Sequence, residues 1–149
     1  MLNAKYVRKE VRCMVKVGEY EVKEGLYYSI DHIWVKVEGK RARCGLTDYA
    51  QKMLKSIIYV EAPKPGTEVI QGEVCGSVES IKTVIDLISP LNGKVIEYNT
   101  DLDKNPSLIN SDPYGQGWIF VVESPTLQED LSKLMGFEKA VKWYKELNG

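Results

Sequence analysis

The sequence predicts a mainly β fold, a small sandwich or flattened barrel of two quasi-symmetric halves with a few short helices. Short strand-like apolar segments recur at even spacing and are separated by Gly, Pro, Asp and Asn turn signals. A Pro-x-x-Gly turn between apolar residues occurs twice in one register, at 63–66 and at 90–93. The stretch that joins the two copies must reverse direction if the halves pair, so we expect a hairpin there.

Length and charge restrict the protein's class. The chain of 149 residues fits one domain with a sizeable core. Twenty basic and 21 acidic residues give a formal charge of -1, so no overall field attracts nucleic acid or anionic lipid. There is no apolar run of roughly 18 residues that could span a bilayer, and the basic start lacks an apolar signal core. We therefore expect a soluble, cytoplasmic protein with no membrane or nucleic-acid partner.

The N-terminus reads as an added β-hairpin. Val11, Cys13, Val15 and Val17 alternate with polar or exposed-type neighbours, and a turn at 18–19 precedes a second short run at 20–22. We take residues 1–24 as this extension and 25–123 as the main domain.

In the main domain the order of elements follows from the same pattern. Strand-like segments lie at 33–37, 42–46, 57–60, 73–78, 84–88, 94–98 and 118–123. Thr47 is placed to cap a short helix over 48–55. In the C-terminal segment, 124–149, Leu127, Leu131, Leu134 and Met135 have helical spacing, and a second helical pattern resumes after Gly136. We expect both helical pieces to pack on the same domain.

Few residues carry enzyme chemistry. Cys13, Cys44 and Cys75 are scattered without a CxxC pair, which argues against a disulfide framework and a zinc site and favours reduced, partly buried thiols. His32 is the only histidine and is interpreted as a hydrogen-bonded structural residue. An imitation of a calcium loop at 101–112 has Pro106 where the sharp turn needs glycine. No dinucleotide or phosphate-loop motif is present.

Lys82 is the most informative residue, because it lies in the stretch between the two Pro-x-x-Gly copies. The segment 78–86 is largely apolar, with neither Gly nor Pro. A rigid hairpin that displays a lysine suits covalent modification. Amide formation requires the neutral amine, a minor species for a pKa of about 10.4, so the modifying enzyme must promote deprotonation.

A series of motifs then follows in the order of a known family: EGLYY (24–28), HIWVKVEG (32–39), GLTDYAQ (45–51), VEAP (60–63), VESIK (78–82), SPLNG (89–93) and LINSDPYGQGW (108–118). The chain resembles the H-protein of the glycine cleavage system, a lipoyl carrier, across about 24–123 and more loosely through the C-terminal helices. The resemblance implies a lipoyl-domain fold, lipoic acid attached to Lys82, and Glu79 as a recognition residue for lipoylation. Biotin carriers place methionines beside the lysine, whereas Ile81 and Thr83 stand here.

The resemblance also implies a carrier and not an enzyme. Its partners would be a pyridoxal-phosphate glycine decarboxylase, a folate-dependent aminomethyltransferase, dihydrolipoyl dehydrogenase, and a lipoate ligase or lipoyl transferase. The chain would shuttle an aminomethyl group and reducing equivalents between these partners.

One position departs from the family. The motif His-Glu-Trp has a glutamate that helps hold the loaded aminomethyl group, and Ile33 stands in its place. An isoleucine cannot pair with a cationic amine. Two alternatives to glycine cleavage therefore stay open at this point: an H-like carrier for sulfur oxidation with heterodisulfide-reductase-like enzymes, and a lipoylation relay.

Overall fold

The structure, a computed structural model, describes residues 14–148 and is mainly β, as predicted. The strands are β1 (Met14–Val17), β2 (Tyr20–Lys23), β3 (Tyr27–Tyr28), β4 (Ile33–Glu38), β5 (Arg41–Leu46), β6 (Ile57–Glu61), β7 (Glu68–Val69), β8 (Val74–Ser80), β9 (Val84–Ile88), β10 (Gly93–Tyr98) and β11 (Phe120–Glu123). The helices are α1 (Asp48–Leu54), α2 (Asp101–Lys104), α3 (Leu108–Ser111), α4 (Leu127–Leu131) and α5 (Phe137–Asn148). Among these described residues, none of the helices has the length and apolar character that crossing a membrane requires.

Two antiparallel sheets enclose the main core. A six-stranded sheet has the order β3-β4-β5-β11-β10-β7, and a three-stranded sheet has the order β6-β8-β9. Val35 and Cys44 from the larger sheet and Val78 and Leu87 from the smaller one are fully buried in one cluster. The sheets do not close, so the sandwich form of the prediction is the one observed.

A second core lies on the other face of the larger sheet. Trp34 of β4 points into it, and Val17 and Val22 of the β1–β2 hairpin meet Tyr144 of α5 there. The N-terminal hairpin is therefore packed on the body of the fold and not detached from it. The first part of the predicted hairpin, including Val11 and Cys13, lies outside the described residues.

His32 has the structural role that the sequence predicts. Its Nδ1 lies 3.1 Å from the hydroxyl of Tyr144, and its ring stacks on Trp143 with 5.1 Å between centroids. Burial lowers the pKa of its imidazole below the usual value, although Asp31 opposes this shift. His32 thus helps to fix α5 against the sheet.

The helices agree with the sequence in part. Thr47 caps α1 by accepting a hydrogen bond from the Ala50 N–H, as predicted. The helical spacing of Leu134 and Met135 is misleading, because α4 ends at Leu131 and Met135 forms a β-bridge with Tyr28. The sequence predicted no helix or strand between residues 101 and 111, but the structure has two short helices there, α2 and α3.

The two Pro-x-x-Gly turns meet in space. The Gly66 N–H donates to the Val95 carbonyl at 2.7 Å, and the Val95 N–H donates to the Thr67 carbonyl at 2.8 Å. Gly66 has a φ of 93°, and Gly93 has a φ of 157° with no room for a Cβ beside the Glu123 carbonyl. Both positions therefore favour glycine, Gly66 because of its positive φ and Gly93 because a Cβ would overlap the Glu123 carbonyl.

Replacing either Gly66 or Gly93 with valine is expected to lower the free energy of unfolding by about 1 kcal/mol or more. The loss should be larger at Gly93, where a Cβ would also overlap the Glu123 carbonyl. Thermal and denaturant melts would measure both. Thr67→Val, an exposed β-branched control in the same turn, should stay within about 0.5 kcal/mol of wild type. A neutral result at both glycines would contradict the structural meaning of the repeat.

Candidate functional site

Lys82 lies at the tip of the hairpin formed by β8 and β9. These strands pair antiparallel, and Glu79 opposite Val84 is their last pair before the turn. The three tip residues, 81–83, are exposed, and Ile81 has 67% of its surface accessible. The predicted hairpin is thus present and projects the lysine outward.

Ser80 shapes the turn, which contains neither Gly nor Pro. Its hydroxyl accepts hydrogen bonds from the N–H groups of Lys82 and Thr83, each at 3.2 Å. The Ser80 N–H also donates to the Thr83 carbonyl at 2.8 Å, and the Ile81 N–H donates to the Ser56 carbonyl at 3.0 Å. A serine that bonds to nearby backbone groups can replace the usual turn residues. Sequence reasoning missed this role, although Ser80 stood in the motif.

The amine of Lys82 is accessible. Its Nζ lies 3.4 Å from the carbonyl oxygen of Met53, in the last turn of α1. Among the described residues it forms no ion pair; the salt bridges there join Lys36 and Arg43 to Glu38, and Lys52 to Asp48. A modifying enzyme can therefore approach the amine without first breaking a salt bridge.

Glu79 and Lys82 lie at the same end of the small sheet. Val60, Val78 and Ile85 form a row of paired residues across the three strands of the small sheet, and their side chains face the main core. Because side chains alternate along a strand, the rows on either side of this one face outward. One outward row contains Glu79. The next outward row consists of Glu61, Ser77 and Asp86, so it adds two carboxylates to this face. This acidic outer face lies directly below the lysine.

Ile33 does not lie beside these residues at the surface. It begins β4, pairs with Leu46, and is fully buried in the main core. An open groove of about 710 Å³ adjoins Lys82, and Ile33 is not among its lining residues. The structure therefore brings Lys82 and Glu79 together and places Ile33 beneath the surface.

Comparison with known proteins connects this geometry to a family. A family model described as "Glycine cleavage H-protein" matches residues 26–147. A probable glycine cleavage system H protein of Pyrococcus horikoshii is 47% identical over 135 residues, which cover 90% of this chain and 100% of that protein. The glycine cleavage system H protein of Bacillus subtilis is 47% identical over 118 residues, or 79% of this chain and 92% of the relative.

A solved structure shows the same fold. The crystal structure of a glycine cleavage system H protein from Mycobacterium marinum superposes with a TM-score of 0.75 at 32% identity. The match covers 83% of this chain and 98% of that one.

Removing the Ser80 hydroxyl is expected to loosen the turn without unfolding the protein. Ser80→Ala deletes the acceptor for two backbone N–H groups, a loss of about 1 kcal/mol that should speed amide exchange at Lys82 and Thr83 about five- to tenfold. Hydrogen exchange followed by NMR would measure it. The control is Ser77→Ala, in the same strand, where the described residues provide no partner for the hydroxyl. Unchanged exchange at the tip in Ser80→Ala would refute this account of the turn.

Proposed function

The chain belongs to the glycine cleavage H-protein family, and we propose that it carries the family's lipoyl group on Lys82. As an H protein of the glycine cleavage system, it acts in the transfer of groups between that system's enzymes. The observation that carries the choice of residue is an accessible lysine at the tip of a hairpin fixed by Ser80. The named relatives do not favour carriage for sulfur oxidation or a lipoylation relay.

The residues at the tip fit a covalently attached acyl group. Attachment forms an amide between Nζ and the carbonyl of an activated acyl donor supplied by the attaching enzyme; the bond from that carbonyl to the donor's leaving group breaks, and the amine gives up a proton to the enzyme. Because Lys82 makes no ion pair among the described residues, loss of its charge leaves no carboxylate without a partner. When attached, a lipoyl group supplies a strained cyclic disulfide that opens to two thiols, which can carry an aminomethyl group or two electrons.

The proposed partners are a pyridoxal-phosphate glycine decarboxylase, a folate-dependent aminomethyltransferase, dihydrolipoyl dehydrogenase, and a lipoate ligase or lipoyl transferase. In this proposal the chain is their substrate and catalyses no step itself. The outer face of the small sheet carries the carboxylates of Glu61, Glu79 and Asp86, and this negative charge favours a partner with a positively charged surface. Among these carboxylates Glu79 lies nearest the tip, which suits recognition during lipoylation.

Treatment with a lipoate ligase is expected to add one lipoyl group, and Lys82→Arg should abolish the addition while stability changes by under about 0.5 kcal/mol. Glu79→Gln should reduce kcat/KM of the ligase on the order of tenfold, because it removes a charged contact next to the tip. The matched control is Glu61→Gln, on the same face but one row further away. Intact mass and peptide mapping would identify the site. Lipoylation at a different lysine, or biotin at this one, would refute the assignment.

We propose that Ile33 leaves the loaded arm without the ionic partner that a glutamate would provide. Its side chain is fully buried, so any contact with a loaded group requires that group to reach the edge of the core. Isoleucine has no charged group, so residue 33 cannot form an ion pair with a loaded amine.

This proposal is tested by Ile33→Glu with Ile33→Gln as its uncharged match. Both should lower the free energy of unfolding by roughly 2 kcal/mol or more, because each buries a polar group. If the loaded amine reaches residue 33, only the glutamate should slow loss of the aminomethyl group, about tenfold, since a charge-assisted contact contributes about 1.5 to 3 kcal/mol. Mass spectrometry after loading with glycine and the decarboxylase would follow the decay. Equal decay in the two variants would exclude such a contact.

A further inference from the structure

The acidic outer face of the small sheet combines carboxylates with exposed apolar side chains. Its two outward rows are Tyr59, Glu79 and Val84, and then Glu61, Ser77 and Asp86. Tyr59 is 55% exposed and Val84 is 58% exposed, one on each side of Glu79. The solvent side of an antiparallel sheet is usually polar. This face therefore suits contact with a segment that is both basic and apolar.

The carboxylates of this face have no cationic partner within residues 14–148. The salt bridges there lie elsewhere, and neither outward row contains a lysine or an arginine. Glu61 and Asp86 lie on the two strands that flank β8, so they are about 10 Å apart. This separation is close to the Debye length at physiological salt, so their charges repel weakly and a cation between them is attracted by both.

The chain holds a segment of complementary composition before its first described strand. Residues 1–13 contain four basic residues and one acidic residue, with apolar residues among them. The basic residues are Lys5, Arg8, Lys9 and Arg12, and the apolar residues between them are Tyr6, Val7 and Val11. The segment has a formal charge of +3 in a chain of net charge -1, so the remaining residues carry -4. The family match begins at residue 26 and assigns this segment no role.

The segment is long enough to reach the acidic outer face. It joins the fold at Met14, where β1 begins, and β1 leads to the hairpin turn over about 14 Å. Glu19 of that turn lines the same groove as Lys82, which stands above the face. Thirteen residues extend over roughly 43 Å, so most of that length is available to cross the groove and reach the two rows. Because the segment is tethered, its effective concentration at the face is about millimolar, which favours it over a separate partner.

We infer that residues 1–13 bind across the acidic outer face of the small sheet of their own chain. The basic side chains pair with the carboxylates, and the apolar residues contact Tyr59 and Val84. One consequence rests on the proposed function, in which Glu79 is recognised during lipoylation. The bound segment then competes with the lipoate ligase for this face and slows modification of Lys82 until the ligase displaces it.

The contact is tested in the full chain by cross-linking with a water-soluble carbodiimide. The reagent activates a carboxylate, and a nearby lysine amine then forms an amide while the carbodiimide leaves as a urea. Peptide mass mapping of the monomer fraction should show amides from Lys5 or Lys9 to the carboxylates of the acidic outer face. Equal yields at Glu138 and Glu146, which are exposed on α5, would show no preference for the face and would overturn the inference.

Charge variants test the cause of the contact. Arg8→Gln combined with Arg12→Gln keeps both reactive amines and should lower the cross-link yield about threefold or more, because it removes two of the attracted charges. Salt at about 0.5 M should lower the yield of wild type in the same way. The matched control is Lys142→Gln combined with Lys145→Gln, which removes two exposed charges from α5 and should leave the yield unchanged.

The outcomes separate this inference from the proposed function. Absence of cross-links to the face, or cross-links only between labelled and unlabelled chains of an isotopic mixture, would overturn the intramolecular contact and leave the carrier function intact. A ligase that fails to modify Lys82 would refute the proposed function, whereas the cross-links need no lipoyl group. The double arginine variant should raise kcat/KM of the ligase about threefold to tenfold at low salt. An unchanged kcat/KM would overturn the competition.

Discussion

Burial of both faces of strand β4 is the constraint on which the rest of the structure depends. Ile33 and Val35 point into the core between the two sheets, while Trp34 points to the opposite side. An antiparallel sheet with two apolar faces needs cover on both. The small sheet covers one face, and the N-terminal hairpin and α5 cover the other. Trp34 also donates its indole N–H to the Pro113 carbonyl at 2.9 Å, which ties the second core to the loop before β11.

This arrangement explains why the β1–β2 hairpin lies near the candidate site although it is far from Lys82 in sequence. The hairpin and α5 meet at the Tyr144 side of the second core, and the hairpin's other end reaches α1 through Asp48. Helix α1 in turn lies beside Lys82. The small sheet contributes its inner face to the main core and leaves its outer face and tip free for partners. The same strands thus stabilise the core with one face and expose acidic side chains on the other.

Local patterns in the sequence were sufficient for part of this structure. Alternating residues predicted the main strands, Thr47 predicted the start of α1, and the repeated turns with Lys82 between them predicted the hairpin. The position of the β1–β2 hairpin beside α1 was not predictable, because it depends on contacts such as that between Glu21 and Asp48, 27 residues apart. At Met135 a local pattern gave the wrong prediction. Its spacing predicted a helix, but the residue forms a β-bridge with Tyr28. Burial of Ile33 likewise depends on a partner sheet that alternation alone does not identify.

The Ser80 hydroxyl has a consequence for transport by the arm proposed on Lys82. The hydroxyl bonds to the backbone on the far side of the turn, and the Ile81 N–H donates to the Ser56 carbonyl, so the point from which the proposed arm pivots is fixed relative to the body of the fold. The search volume of the tethered group is then set by the length of the tether, and fluctuations of the base add little to it. A smaller search volume means a higher local concentration of the group at a docked enzyme's entrance. In the carrier proposed above, a single short side chain in a turn without glycine thereby influences how fast the partner enzymes find the carried group.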